Sequence, residues 1–150
     1  MEVILLIGLQ ASGKSTFYQE YFSTSHLRIN LDMLHTRNKE KQLLQTCLEI
    51  SQSVVIDNTN PTKLDRQRYF QLLDRADVTF IGYYFQSKLA DCLKRNQQRS
   101  GKARLPEIAL KSTASKLELP SFDEGFSQLY YVTQTEDQAF EIKEWENEVQ

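Results

Sequence analysis

The chain has 150 residues, 40% of them apolar or aromatic, with 18 Lys and Arg against 20 Asp and Glu for a formal net charge of −2, the profile of one globular domain that buries about 68–70% of its unfolded surface. Cys47 and Cys92 stand far apart with no CxxC and no nearby His pattern, which argues against a disulfide framework or zinc site and predicts a reducing, cytoplasmic setting with no disulfide-linked partner. The opening apolar run Val3 to Ile7 is too short for a signal-peptide core or a bilayer span, so no membrane association is expected.

In chain order, Val3-Ile-Leu-Leu-Ile7 reads as a strand buried on both faces, and a helix is expected from about Lys14 to Phe22. Leu27 to Asn30 predicts a short second strand, and Met33, Leu34, Leu43, Leu44, Cys47 and Leu48 predict one helix from Asp32 to about Glu49. Val54 to Asp57 is a third strand ending in a carboxylate. Pro61 is expected to start a helix with Leu64, Tyr69, Leu72 and Leu73 as its apolar stripe. Val78 to Phe85 predicts a fourth strand, Leu89, Cys92 and Leu93 a helix, Pro106 the start of another, and Leu129 to Val132 a last core strand. The tail with Phe140, Ile142 and Trp145 fits an edge strand or a short helix equally. Strand and helix in alternation predict an α/β domain around a parallel sheet, in which ligands sit beyond the carboxyl ends of the strands. Four polar segments, beginning at Gly8, Asn30, Asp57 and Gln86, follow the first four strands.

Charge is uneven along the chain. Six acids fall in the last fifteen residues (Glu136, Asp137, Glu141, Glu144, Glu146, Glu148) with only Lys143 against them, leaving 17 bases and 14 acids in residues 1–135. The expected organisation is therefore a domain over 1–135 and an acidic tail, 136–150, packed on or flanking it. Lys94, Arg95, Arg99, Lys102 and Arg104 place five bases in eleven residues without an acid, which reads either as a solvated face or as a phosphate-facing segment.

Gly8-Leu-Gln-Ala-Ser-Gly13-Lys14-Ser15-Thr16 matches G-x-x-x-x-G-K-[ST] between a strand and a helix, the context that makes the pattern a phosphate-binding loop. Gly8 and Gly13 free the backbone so that amides of the loop, Ala11 and Ser12 included, turn toward phosphate oxygens at a helix N-terminus. Lys14 is expected on the β- and γ-phosphates and Ser15 on a magnesium ion. Asp57, ending its strand, fits a second magnesium-site carboxylate. Asp32 reads either as a helix cap or as a general base taking the proton of an attacking hydroxyl. Thr62-Lys-Leu-Asp65 also fits a guanine-specificity pattern, but Asp57 is followed by Asn58-Thr59-Asn60 rather than DxxG. His26 and His35 have no ligand partner at useful spacing, and the tyrosine-rich strands are read as packing.

The set Gly8 to Thr16, Ile29-Asn30-Leu31-Asp32, Val55 to Pro61, Lys94 to Arg99 and Pro120 to Phe126 resembles, over about residues 1–133, the kinase domain of the 5′-hydroxyl polynucleotide kinases and their small bacterial relatives. The resemblance implies a three-layer α/β/α P-loop fold, adenylate-kinase-like, with a basic lid near 95–104. It implies phosphotransfer from ATP with Mg²⁺ to a hydroxyl acceptor, 5′-hydroxyl nucleic-acid ends among the candidates. Lys14, Ser15 and Thr16 would hold ATP phosphates and magnesium, Asp32 would be the base, and Arg99 with Arg95 would reach the phosphates from the lid. Asn58 and Thr59 would line the acceptor side beside Asp57. The sequence departs from the family where Leu31 replaces the arginine before the base and where His35 stands in place of an arginine that contacts the acceptor's phosphate. Arg37, two residues on, compensates if it lies on the accessible side of its helix. The alternatives are a kinase for a sugar, nucleoside or antibiotic hydroxyl and a nucleotide-binding switch with no acceptor.

Overall fold

The computed structural model describes residues 1–135, 137 and 139–146. Glu136 and Glu148 of the acidic tail, with the rest of 147–150, lie outside the described residues. Six strands, β1 (Glu2–Ile7), β2 (Leu27–Ile29), β3 (Val54–Asp57), β4 (Thr79–Phe85), β5 (Gln128–Gln134) and β6 (Phe140–Glu144), form one sheet in the order β2-β3-β1-β4-β5-β6. The first five strands run parallel and β6 closes the edge antiparallel to β5, with Val132 opposite Ile142. The tail's ambiguity between strand and helix is resolved as this edge strand.

Among the described residues six α-helices connect and flank the strands: α1 (Lys14–Tyr21), α2 (Leu31–Leu34), α3 (Arg37–Glu49), α4 (Lys63–Leu72), α5 (Leu89–Gln97) and α6 (Glu107–Lys116). The two-residue period of β1 sends Val3, Leu5 and Ile7 into one core with Leu44, Cys47, Tyr69 and Leu73 from α3, α4 and the C-cap of α4. Ile4 and Leu6 enter the opposite core, where Phe17 of α1 packs among Phe85, Val132 and Phe140. Both faces of the sheet are covered, as a parallel sheet requires. Tyr83 stacks on Tyr130 and Tyr84 on Tyr131 across β4 and β5, at ring separations of 5.1 and 6.0 Å, so these tyrosines are cross-strand packing.

Three sequence expectations need correction. The helix expected from Asp32 to Glu49 is two helices: His35 stands at φ 71 after α2, and the Thr36 side chain accepts from Lys39 N to cap α3 afresh. Pro61 does not begin α4. Thr62 is its N-cap, in a reciprocal capping box with Asp65, while the Pro61 carbonyl accepts from Glu118 N at 2.7 Å. Leu64 is 75% exposed, so it drops out of the apolar stripe. The capping box also gives Thr62 and Asp65 a structural use that needs no guanine. Cys47 and Cys92 are free and buried, and no helix among the described residues is long and apolar enough to cross a membrane.

Candidate active site

The carboxyl ends of β1, β2 and β3 open into a cleft of about 550 Å³, within the range of small-molecule sites. Its walls include Ala11, Gly13, Lys14, Ser15 and Thr16 from the loop after β1, Asp32 and Arg37 from beyond β2, Asp57, Asn58 and Thr59 from the end of β3, and Arg99. Sequence-predicted residues from four separate segments therefore meet in one place. Gly8 and Ser12, both within the loop, and Arg95, which donates to the Ala11 carbonyl, lie outside the lining set. His35 lies outside the lining set, exposed at the end of α2.

The loop is fixed by its own backbone and by its neighbours. Ala11 at φ 62 and Gly13 at φ 102 turn the backbone through the left-handed region, and a Cβ on Gly13 would stand 3.0 Å from Phe140 Cε1 of β6. Leu9 N donates to Ser87 Oγ and Gly8 N to the Thr59 carbonyl, which ties the loop to the segments after β4 and β3. Lys14 Nζ donates to the carbonyls of Gly8 at 2.9 Å and Leu9 at 2.6 Å. Burial pulls the Lys14 ammonium down from its ordinary value to about 8, with the Asp57 charge opposing that shift. The ammonium stands ready to exchange carbonyl partners for phosphate oxygens, a gain in charge pairing.

Asp57 ends β3 almost fully buried, and its Oδ2 accepts from Ser15 Oγ at 3.0 Å. A hydroxyl and a carboxylate, both hard oxygen donors, face the cleft where phosphates would lie, a set that suits magnesium held jointly by protein and nucleotide. Among the described residues no group of three or more His, Cys, Asp or Glu side chains could hold a metal ion by itself. Oδ2 also accepts from Arg28 Nε at 2.8 Å, and Arg28 Nη2 donates to Ser15 Oγ at 3.0 Å.

Across the cleft, Asn30 presents Asp32. The Asn30 Oδ1 caps α2 by accepting from Met33 N at 3.1 Å, while its Nδ2 donates to the Asp57 carbonyl at 2.6 Å. Capping therefore falls to Asn30, and the exposed Asp32 carboxylate faces the cleft from the first turn of α2. Asn58, expected on the acceptor side, lines the cleft with both ends of its amide engaged: Oδ1 accepts from Leu31 N at 2.8 Å, and Nδ2 donates to Glu40 Oε2 and Tyr69 Oη. Behind it lies a buried cluster. Tyr69 Oη donates to Glu40 Oε2 at 3.0 Å, and Arg37 Nη1 donates to Glu40 Oε1 at 2.8 Å and to Tyr69 Oη at 3.1 Å. Burial, reinforced by the Glu40 charge, pushes the Tyr69 hydroxyl up to about 12, so it stays a neutral donor. Arg37 is on the accessible side after all, its side chain 47% exposed and in the cleft wall.

In the basic segment Arg95 is half-buried and Arg99, though exposed, borders the cleft. Arg95 Nη1 donates to the Ala11 carbonyl at 3.3 Å, whereas Lys94, Lys102 and Arg104 are exposed. Asn96, fully buried, donates to the Leu105 carbonyl and accepts from Leu105 N, closing the intervening loop like a strand pair.

Sequence reasoning named Arg28, with Arg37, as a candidate contact to an acceptor phosphate rather than as a partner of Ser15 and Asp57, gave Tyr69 only a packing role and gave Glu40 none. Arg28 was legible as a polar residue inside a short apolar strand. Glu40 carried no sequence signal and Tyr69 read as a stripe residue, because their meeting depends on how α3 and α4 pack.

A family profile described as an AAA domain matches residues 3–120. The chain belongs to that family. It is similar to a bifunctional polynucleotide phosphatase/kinase of Schizosaccharomyces pombe, 32% identical over 132 residues that cover 85% of this chain and 32% of that protein. An L-seryl-tRNA(Sec) kinase of Methanococcus maripaludis is 26% identical, over 79% of this chain and 53% of that one. The chain thus spans about a third and about half of the two relatives. Among solved structures, a gluconokinase of Sinorhizobium meliloti shares the fold, with a TM-score of 0.62 at 17% identity over 88% of this chain and 82% of that one.

Proposed function

We propose that this domain transfers the γ-phosphate of ATP to a hydroxyl whose own molecule carries a phosphate, a 5′-hydroxyl nucleic-acid end being the acceptor the site supports best. The observation that carries the reading is that Lys14, Asp32 and Arg37, from three separate segments, line one cleft. Lys14, Thr16 and the loop amides hold the phosphates of ATP, and Arg99 with Arg95 adds positive charge from the 95–104 side. Ser15 and Asp57 would hold Mg²⁺, which when bound neutralises charge on the phosphates. Asp32 accepts the proton of the acceptor hydroxyl as its oxygen bonds to the γ-phosphorus and the bond to the β-phosphate oxygen breaks, releasing ADP. Positioning and charge neutralisation account for most of such a rate, and this cleft supplies both. The polynucleotide phosphatase/kinase relative supports the choice of acceptor. The domain is expected to take in residues 1–135 with the acidic tail, 136–150, packed on it, since Phe140–Glu144 form β6 of the same sheet.

Leu31 and His35 favour a second reading, a small phosphate-free alcohol, because neither offers an arginine to an acceptor phosphate. The test is to offer γ-labelled ATP and Mg²⁺ with 5′-hydroxyl DNA and RNA, 3′-mononucleotides, nucleosides and sugars. Label on oligonucleotides with a high KM and steep salt dependence is expected, improved by Leu31→Arg or His35→Arg. Turnover of a sugar or nucleoside with no labelled oligonucleotide would overturn the polynucleotide reading in favour of the second.

A further inference from the structure

Arg28 binds both oxygen donors on which the metal assignment rests. β2 sets it beside β3, opposite Val55. Its Nε reaches Asp57 Oδ2, its Nη2 reaches Ser15 Oγ, and Ser15 Oγ donates to the same Asp57 oxygen, so the three side chains close a triangle on Oδ2. Asp57 is 2% exposed. A carboxylate so buried is costly without a counter-charge, and the guanidinium supplies one. Yet a divalent cation placed on Ser15 Oγ and Asp57 would need the atoms Arg28 already holds, and two cations sharing them repel. Arg28 has somewhere to go: its side chain is 29% exposed, and Nη1 already lies 3.2 Å from Sδ of the exposed Met33.

We propose that Arg28 is the resident cation of the Ser15–Asp57 pair, holding both side chains in place before the nucleotide arrives and giving up Ser15 when the divalent ion enters. Divalent affinity is then set by competition with the chain's own arginine. Removing that arginine's charge tightens metal binding while loosening the nucleotide-free site. The inference rests on Ser15 and Asp57 being the metal ligands, as proposed above.

Mn²⁺ serves as the probe, with the free ion counted by its paramagnetic resonance signal in the presence of saturating ADP. Arg28→Gln is expected to lower the Mn²⁺ dissociation constant by about tenfold, equivalent to about 1.4 kcal/mol. Arg28→Lys, which keeps the charge but lacks the fork to bridge two oxygens, should fall between Arg28→Gln and the wild type. Unchanged or weaker Mn²⁺ binding by folded Arg28→Gln overturns the proposal. The wild type gives an independent check that needs no variant to fold: the Arg28 Nε–H nuclear resonance should be exchange-protected in the free protein and move on addition of Mg²⁺ and ADP. A resonance that does not move overturns it as well. Ser15→Ala and Asp57→Asn separate the two layers. If neither weakens Mn²⁺ binding, the metal assignment itself fails and the proposal with it. If both weaken it while Arg28→Gln does not tighten it, only the role of Arg28 falls.

Discussion

Arg66 of α4 is fully buried and forks onto Glu124, with Nε 2.8 Å from Oε1 and Nη2 3.2 Å from Oε2, while its Nη1 donates to the Asn60 carbonyl at 2.9 Å. One side chain thus fastens the turn before β5 to the segment that follows Asp57. Gly125 completes that turn at φ 130, where a Cβ would press to 2.8 Å from the Phe70 ring. Removing one member of a buried ion pair strands the other charge, so Arg66→Met should cost about 3–5 kcal/mol in urea unfolding. Arg66→Met combined with Glu124→Leu should recover much of that loss. Additive losses in the double variant would contradict the pairing.

Lys14 makes stability depend on pH. Its folded value, about 8, lies below the ordinary 10.5. Between these values the unfolded chain holds more protons than the folded one, so nucleotide-free stability rises from about pH 8 toward 10.5 and the penalty is fully present below pH 8. Lys14→Met should therefore be more stable than the wild type at pH 7, by a margin that shrinks as pH rises, while losing ATP binding. Denaturant midpoints of the two proteins across pH 7–10 check this. A constant difference would contradict the burial cost.

Asn96 satisfies both backbone groups of Leu105 from a buried position. Asn96→Ala leaves an N–H and a C=O without partners, at about 1–3 kcal/mol each. It should also free residues 97–104, raising their amide exchange and lowering phosphotransfer through Arg99. Arg99→Ala, by contrast, should lower kcat by about 10²–10³ with little loss of stability. If Arg99→Ala runs at full rate, the segment's catalytic part is lost.

The phosphate loop, Asp32 and Asp57 were legible because each sits within a few residues of a strand end, so local spacing already places it. The five parallel strands were legible from apolar runs for the same reason. The break at His35 was not, since Leu34 and Leu43 fit one helical stripe, and only the Thr36 cap and a left-handed residue divide it. Nor was the cluster of Glu40, Tyr69 and Arg37, in which helix packing brings Tyr69 to Arg37 and Glu40, 32 and 29 positions away in the chain.

That cluster makes its own prediction. Arg37 is aimed by Glu40 and Tyr69, so Arg37→Ala should raise KM for phosphate-bearing acceptors with kcat little changed, the sign of lost uniform binding. Tyr69→Phe should do the same more weakly. Steady-state kinetics on oligonucleotides of several lengths decide it, and an unchanged KM would remove Arg37 from the acceptor side.

The most direct measurement is single-turnover transfer of labelled γ-phosphate from ATP to a 5′-hydroxyl oligonucleotide by the wild type and by Asp32→Asn, with ATP affinity taken on the same samples by calorimetry. Asn keeps the shape of Asp32 and removes only the carboxylate, and the cap of α2 belongs to Asn30. Labelled product from the wild type is expected, with a fall of about 10²–10⁴ in Asp32→Asn and ATP affinity nearly unchanged. Transfer at the wild-type rate by Asp32→Asn would contradict Asp32 as the base.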